Sequence, residues 1–428
     1  MSSKRILLTG LSTYWGGRLA QALEGDPEVE AIIGVDRRPP KVELHRTEFV
    51  RVHDSHSLIR RIVEAAEIDT VVDTRLVVDS IVTTPRLAHE NNVMGTTNVL
   101  AACGGEGNPV RKLVFKSSAG YYGAAQDDPA FFTEDMERPH APQTPIERDI
   151  VEAEAAVRAF AHRHPHVTVS VLRFASALGP ALRTSLSNLF GLPAIPAILG
   201  FDPRLQFIHE DDIAGCLEHA VRNELPGVYN GGGDGVLVLS EIAGLLGKPL
   251  VPLLPPVGTG LAAGLLRRAA GVRISPETLG LLRYGRAVDN RRLKATGYRY
   301  RYTSREAVIK LREHQRLARI AGADHEVYRY ERDVEEFLRR SPSVRPTARR
   351  PAPAPANLAP GERREAQKGA GSSDFDDLGA DELIALLPSL ESTALAELAV
   401  HEREHAARPD VMRAIASLQG YEGDRRFS

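Results

Sequence analysis

Cysteine, lysine and long apolar runs are all scarce in this chain. Its 428 residues hold two cysteines, Cys103 and Cys216, far apart and at no metal-ligand spacing. Neither a disulfide framework nor a zinc cluster is expected, and a reduced, cytoplasmic setting follows. Lysine supplies 8 of the 54 basic residues, against 46 arginines, as a bacterial chain of high-GC coding bias would show. The formal net charge is −2, so bulk electrostatics give no case for nucleic acid. The longest uncharged apolar stretch, residues 249–266, carries four prolines and three glycines and falls short of a transmembrane span. The chain enters a strand almost at its start, which leaves no room for a signal peptide.

What is present begins at residues 4–23, KRILLTGLSTYWGGRLAQAL. A short apolar run ends in Thr9-Gly10, a loop leads to Gly16-Gly17, and a helical pattern follows. Strand, glycine turn and helix form the first unit of a dinucleotide-binding fold. The glycines permit a sharp turn and close approach to a pyrophosphate, and the helix N-terminus offers free N–H groups to it. Residues 31–35 read as the second strand. Asp36 stands at its end, where an acid accepts hydrogen bonds from an adenosine ribose.

Alternation continues with strands at 48–52, 70–72, 111–117 and 167–173. Helices are expected at 57–66, 85–103, 147–162 and 211–222. This order predicts a doubly wound, Rossmann-type α/β fold with a parallel sheet. A domain over residues 1–325 is expected, with a smaller C-terminal substrate lobe drawn mainly from 181–206 and 226–325. A helix at 326–340 precedes a Pro/Ala/Arg-rich stretch at 341–375, which reads as a disordered linker. Residues 376–420 then read as a short helical tail that docks on a protein partner or on the main domain.

Five motifs occur in order: Asn92-Val93-Met94-Gly95-Thr96, Ser117-Ser118 with Tyr122-Gly123, Leu172-Arg173 with Leu178-Gly179-Pro180, Phe207-Ile208-His209-Glu210-Asp211-Asp212, and Tyr229-Asn230-Gly231. With the glycine loop they resemble the extended short-chain dehydrogenase/reductase family, the group of NAD-dependent epimerases and dehydratases. The resemblance runs from Lys4 to about Ile320. Within it the chain is most similar to a bacterial branch often labelled UDP-glucose 4-epimerase. It implies NAD as cofactor, with NADP left open by Arg37 and Arg38 after Asp36. The implied cofactor-binding residues are Gly10, Thr13, Tyr14, Trp15, Gly16, Asp36, Arg37, Asp54, Thr74, Arg75, Asn92, Ser117 and Ser118. His53 competes with Asp54 for the adenine-facing position. Family members often dimerise through a four-helix contact, which the stripe from Ile146 to Phe160 could serve.

The departures bear on function. Thr13 replaces the middle glycine of the family's TGxxGxxG loop, and Asp73-Thr74-Arg75-Leu76 replaces its HLAA. The family's catalytic Tyr-x-x-x-Lys places both side chains on one helix face, where the lysine lowers the tyrosine pKa. The corresponding positions here are Ile146 and Ile150, and no tyrosine in the chain has a lysine four residues later. Ser118 alone keeps a family catalytic position, so the catalytic residues are otherwise unknown. Ser176 replaces the sugar-nucleotide asparagine. Leu205 replaces the diphosphate arginine, with Arg204 one place off. His140, Tyr121, Tyr122, Glu147 and Asp149 are candidate substitute acids or bases, against ordinary packing or solvation. His162, His164 and His166, and His401, Glu402, Glu404 and His405, read as solvated turn and helix face, with no metal. Arg267-Arg268 reads as part of a packed lobe helix.

Three functions stay open. One is a catalytically degenerate NAD(P)-binding sensor or partner-binding module. Another is an oxidoreductase or nucleotide-sugar epimerase/dehydratase with a non-standard acid or base. The last is a cofactor-free scaffold.

Overall fold

The computed structural model describes residues 3–52, 55–129, 131–255, 260 and 274–321. The chain divides into two units, Met1–Ala318 and Arg319–Ser428, and the account below concerns the first. The helix expected at 326–340, the linker, the tail, Arg267-Arg268, His53 and Asp54 lie outside the described residues.

Seven parallel strands form the main sheet in the order β11-β6-β5-β4-β1-β2-β3. They are β1 (Arg5–Thr9), β2 (Ala31–Asp36), β3 (Thr47–Arg51), β4 (Thr70–Asp73), β5 (Lys112–Ser118), β6 (Thr168–Phe174) and β11 (Gly227–Gly231). The central strands are apolar throughout: Ile6, Leu7 and Leu8 of β1 and Val71 and Val72 of β4 are fully buried. Helices must therefore cover both faces. On one, α1 (Tyr14–Glu24) packs against α7 (Glu210–Arg222). On the other, α4 (Gly95–Cys103) packs between α2 (His56–Ala65) and α5 (Pro145–Arg163). Right-handed crossovers run outward from β1 in one direction and from β4 in the other, so the strand order reverses between them. A cleft opens there at the carboxyl ends of β1 and β4.

Local chemistry explains the helix starts. Thr144 caps α5 by accepting from the Glu147 N–H at 3.2 Å, and Pro145 occupies the first helical position. The stripe Ile146, Ile150, Ala153, Val157 and Phe160 is buried in the main core. It is therefore not a surface for a second subunit: the sheet behind α5 has already consumed it. The helix expected at 85–103 is continuous but contains a π turn, Glu90–Met94, between α3 (Pro85–His89) and α4.

A second apolar cluster includes Leu186, Phe190, Ile195, Phe207, Leu239, Leu282 and Leu311. It is built from α6 (Ser185–Gly191), β8 (Ile195–Ile198), α8 (Leu239–Leu246) and the helices Pro276–Tyr284 and Ser304–Ala321. Residues 227–231, read from sequence as lobe, are instead the edge strand of the main sheet, paired with β6 from Gly227↔Ser170 to Gly231↔Phe174. Helix Arg291–Ala295 also packs on β11, so part of the segment from 226 belongs to the sheet. Five residues rich in glycine carry too little periodicity to show which core they join.

One buried ionic network holds β5, β6, β11 and α5 together. Arg173 on β6 donates Nε and Nη2 to the Glu154 carboxylate of α5 at 3.0 and 2.6 Å. Ser117 of β5 donates to the same carboxylate at 2.5 Å. Arg173 Nη1 donates to the Tyr122 hydroxyl at 2.9 Å, which lies 3.0 Å from Asn230 Oδ1 on β11. The guanidinium also lies 3.5 Å from the Tyr121 ring centroid. Removing one charge strands the other without water. Glu154→Ala should therefore lower the unfolding free energy by about 3–5 kcal/mol, while Glu154→Leu/Arg173→Met recovers most of it, as read by urea denaturation. Equal losses in the single and double variants would show that the pair is not the source of the cost.

Candidate functional site

The glycine loop turns at Gly10, whose φ of 82° suits glycine, and Gly16 lies so close that a Cβ there would overlap the Gly10 carbonyl. Thr13 takes on a specific task in the loop. Its Oγ1 donates to the Gly10 carbonyl at 2.7 Å and accepts from the Gly16 N–H at 3.1 Å, capping α1. The side chain is thus folded back onto the loop. At the end of β2, Asp36 accepts from the Ser12 amide and hydroxyl at 2.9 and 2.8 Å, and from the Arg37 amide at 2.6 Å.

Across the switch point, the Thr9 hydroxyl donates to buried Asp73 at 2.8 Å. Arg75 grips the same carboxylate through Nε at 3.0 Å and Nη2 at 2.8 Å. Burial pushes the Asp73 carboxyl upward, but the Arg75 charge overcomes this and holds it below its ordinary range. Two glycines make room for the arginine. A Cβ on Gly10 would stand 2.6 Å from Arg75 Cγ, and one on Gly95 would stand 2.7 Å from its Nη1. Thr74 Oγ1 donates to the Thr9 carbonyl at 2.9 Å and lies 3.2 Å from Thr13 Oγ1.

These groups line a cavity of about 190 Å³, with Thr9, Ser12, Thr13, Asp36, Arg37, Arg75 and Asn91 on its polar side and Val35, Val52, Ile59 and Val77 on its apolar side. The sequence reading missed Ser12 and Asn91. The only signal for Ser12 was its place inside the glycine loop, and for Asn91 its place beside Asn92. Asn92 itself, with its side chain fully buried in the π turn, does not line the cavity. Its amide accepts from Val77 N and donates to Val77 O at 2.7 and 2.8 Å, holding the segment after β4. Ser117 is likewise turned inward to Glu154. Ser118 Oγ accepts from the Gly120 amide at 3.0 Å, starting the 3₁₀ turn Ala119–Tyr121. Tyr14 and Trp15 meet edge to face at the start of α1, 5.1 Å apart.

The two positions that the sequence resemblance matches to the family's tyrosine and lysine hold no titratable group. Ile146 and Ile150 are each 1% exposed, and Ile150 Cδ1 packs where a Cβ on Gly120 would be only 3.0 Å away. The substitute acids and bases are engaged elsewhere. Tyr121 and Tyr122 are in the Arg173 network, Glu147 Oε2 accepts from Arg138 Nη2 at 2.6 Å, and Asp149 faces His89 at 2.8 Å. His140 lies 3.0 Å from Asp127. Burial pushes the Cys103 thiol up to about 12, consistent with an inert core residue. Among the described residues no group of three or more His, Cys, Asp or Glu is placed to hold a metal, and no helix is long and apolar enough to cross a membrane.

With this fold and cleft in view, the family follows. The NAD dependent epimerase/dehydratase family model matches residues 6–232, and the chain belongs to that family. It is 35% identical over 316 residues to an uncharacterized protein of Mycobacterium bovis, covering 71% of this chain and 82% of that one. It is 28% identical over 185 residues to the N-acetyl-alpha-D-glucosaminyl-diphospho-ditrans,octacis-undecaprenol 4-epimerase of Escherichia coli O157:H7, covering 43% and 52% of the two chains. The UDP-glucuronic acid 4-epimerase of Bacillus cereus, solved with UDP-glucuronic acid and NAD, shares the fold. Its TM-score is 0.56 at 16% identity, over 73% of this chain and 99% of that one.

Lys116 is a buried cation on β5. Its ammonium lies 5.4 Å from the Trp15 ring centroid. Burial lowers its pKa from 10.5 to about 8, against an opposing pull from Asp73. Between those two values the unfolded chain binds more protons than the folded one, so stability rises with pH across that window. Below about 8 both states are charged and the folded state bears the full cost of burial. Lys116→Met should accordingly stabilise the protein at pH 7 by up to about 3 kcal/mol, with the gain shrinking as pH rises from about 8 towards 10.5. Urea unfolding at pH 7 and pH 9.5 reads this. A pH-independent difference would mean that the amine is not desolvated.

Proposed function

We propose that this protein binds an NAD-type dinucleotide in the switch-point cleft and acts as a dinucleotide-dependent sensor or partner-binding module. One observation carries the reading: the cavity beside Asp36 is intact, while Ile146 and Ile150 stand packed in the core where proton transfer would need a tyrosine and a lysine. The residues present suit the adenosine half of the ligand. In this reading the ribose hydroxyls donate to Asp36 and the pyrophosphate lies at the start of α1, while Val35, Val52 and Ile59 offer an apolar wall. Arg75 is the cation at hand for a phosphate. The nicotinamide supplies hydride transfer when bound. The chain's own part is to hold and orient the dinucleotide.

Asp36 favours NAD, because a carboxylate repels a 2′-phosphate. The closest counter-argument is Arg37, which also lines the cavity. Calorimetric titration with NAD, NADH, NADP and NADPH tests this. NAD or NADH should bind at least tenfold more tightly than the phosphorylated forms. Asp36→Ala should remove about 1–3 kcal/mol of that binding, as expected for a lost charged hydrogen bond. No saturable binding at millimolar concentration, or turnover of a nucleotide sugar at enzymatic rates, would each overturn the reading.

The protein is read as cytoplasmic, with the C-terminal tail as the element that meets a protein partner. Truncation after Ser341 should leave the melting temperature nearly unchanged while losing that partner. A homodimer is part of the same reading. Its surface is the exposed side of α3 and of the π turn that follows it, where Leu87 is 47% and Met94 is 55% exposed. Met94→Glu should shift the sedimentation coefficient from dimer to monomer. A wild-type monomer would remove the dimer from the reading.

A further inference from the structure

Strand β5 carries two buried lysines on one face, and their surroundings differ. Lys112, at the amino end, is satisfied. Its Nζ donates to the Val221 and Asn223 carbonyls at 2.9 and 3.2 Å and lies 3.4 Å from Glu224. Lys116 follows four residues later, so the strand's period of two returns it to the same face at the carboxyl end. It is 4% exposed, yet among the described residues its ammonium makes no hydrogen bond and no ion pair. The contact it has is with the ring of Trp15, in the first turn of α1. Asp73 acts on it from further off, but that carboxylate is bonded to Thr9 and gripped by Arg75. An ammonium so placed costs stability and gains little from its own chain. It is nevertheless charged at pH 7, since burial lowers its pKa only to about 8.

The position of Lys116 relative to the cleft gives this charge a use. The Asp36 cavity runs from the end of β2 past Thr9 on β1 to Arg75 after β4. The strand order is β5-β4-β1-β2, so β5 is the next strand in that direction. Lys116 lies one position beyond the Asp73↔Phe115 pair that closes β4 against β5. A dinucleotide with its adenosine at Asp36 and its pyrophosphate at the start of α1 carries its other half towards this strand end. The nicotinamide ring is the part of that ligand whose charge changes with oxidation: it is a cation in NAD and neutral in NADH. An ammonium without a counter-ion of its own repels the first. It accommodates the second, whose carboxamide oxygen is an acceptor for it.

We propose that Lys116 makes the cleft selective for the reduced dinucleotide, its buried ammonium disfavouring the nicotinamide cation of NAD and not the neutral ring of NADH. Resting on the dinucleotide reading above, this selectivity fixes which redox state the protein reports. Two like charges a few ångströms apart in a partly buried setting change an affinity about tenfold or more.

Calorimetric titration of the full chain at pH 7 with NAD, NADH and ADP-ribose, which lacks the nicotinamide, tests this. NADH should bind wild type about tenfold or more tightly than NAD. In Lys116→Met the two affinities should come within about threefold of each other, chiefly because NAD binds better. Lys116→Gln, which keeps a polar end without the charge, should do the same. ADP-ribose should bind wild type and both variants alike, so damage to the fold is read separately. Lys4→Gln, at an exposed lysine paired with Glu30, should keep the wild-type ratio. Equal binding of NAD and NADH by wild type overturns the selectivity and leaves the dinucleotide reading standing. An unchanged ratio in both Lys116 variants, or an equal change in Lys4→Gln, also overturns it. So does weaker ADP-ribose binding in the Lys116 variants, which would make the lysine a phosphate ligand. If wild type binds none of the three, the dinucleotide reading falls and the selectivity with it.

Discussion

The pair Glu154–Arg173 is the constraint on which the arrangement depends. A carboxylate and a guanidinium lie in the middle of the fold with side-chain exposures of 0% and 2%. Each is tolerable there only because the other is held at hydrogen-bond distance. Ser117 and Tyr122 fill the remaining bonds, and Asn230 extends the chain to the edge strand. This satisfied network sets the spacing of α5 from the sheet. Ile146 and Ile150, two turns and one turn before Glu154 on the same face of α5, are buried with it. Both isoleucines are core residues of this helix, each 1% exposed.

At the switch point the chemistry is different. Thr9, Asp73 and Arg75 form a short polar relay across two strand ends, and Gly10 and Gly95 yield the space that the arginine occupies. Thr13 would crowd this loop if its side chain faced outward. By turning inward it replaces the conformational freedom of glycine with a helix cap, and the loop remains closed upon itself. The cavity beside Asp36 is the consequence, bounded by a polar loop on one side and by β2 residues on the other. Among the described residues, none of the lobe lines that cavity. Its contribution is at the other strand end, through Arg286 and the loop after β4, where Asp79 accepts from the Ser185 amide and hydroxyl at 2.6 and 2.7 Å. Sheet and lobe are thus tied on both sides of the cleft.

Much of this was legible in the sequence. Short buried strands and amphipathic helices announce themselves by period, and β1, β2, β4, β5 and β6 and their helices lie within a residue or two of expectation. Thr9-Gly10, Asp36 and Arg75 could be named because a glycine loop and a strand-end acid have local requirements. The short runs were harder. Gly227–Gly231 has no period to show, and it joined the sheet because β6 had a free edge and Asn230 a buried partner. The π turn is invisible too, since it changes which of two neighbouring asparagines faces the cavity without altering any residue type.

The sequence by itself determined the sheet, the family and the absence of a Tyr-x-x-x-Lys pair, because these depend on residue type and spacing along a chain. Only the tertiary structure decided where the polar side chains spend their hydrogen bonds. It turned Asn92 and Ser117 inward, brought Ser12 and Asn91 to the cavity, and bonded the Arg286 side chain to the Gly123 carbonyl. The reason is physical: a buried donor or acceptor must be satisfied by whatever group the fold brings within about 3 Å, and that neighbour is seldom near in sequence.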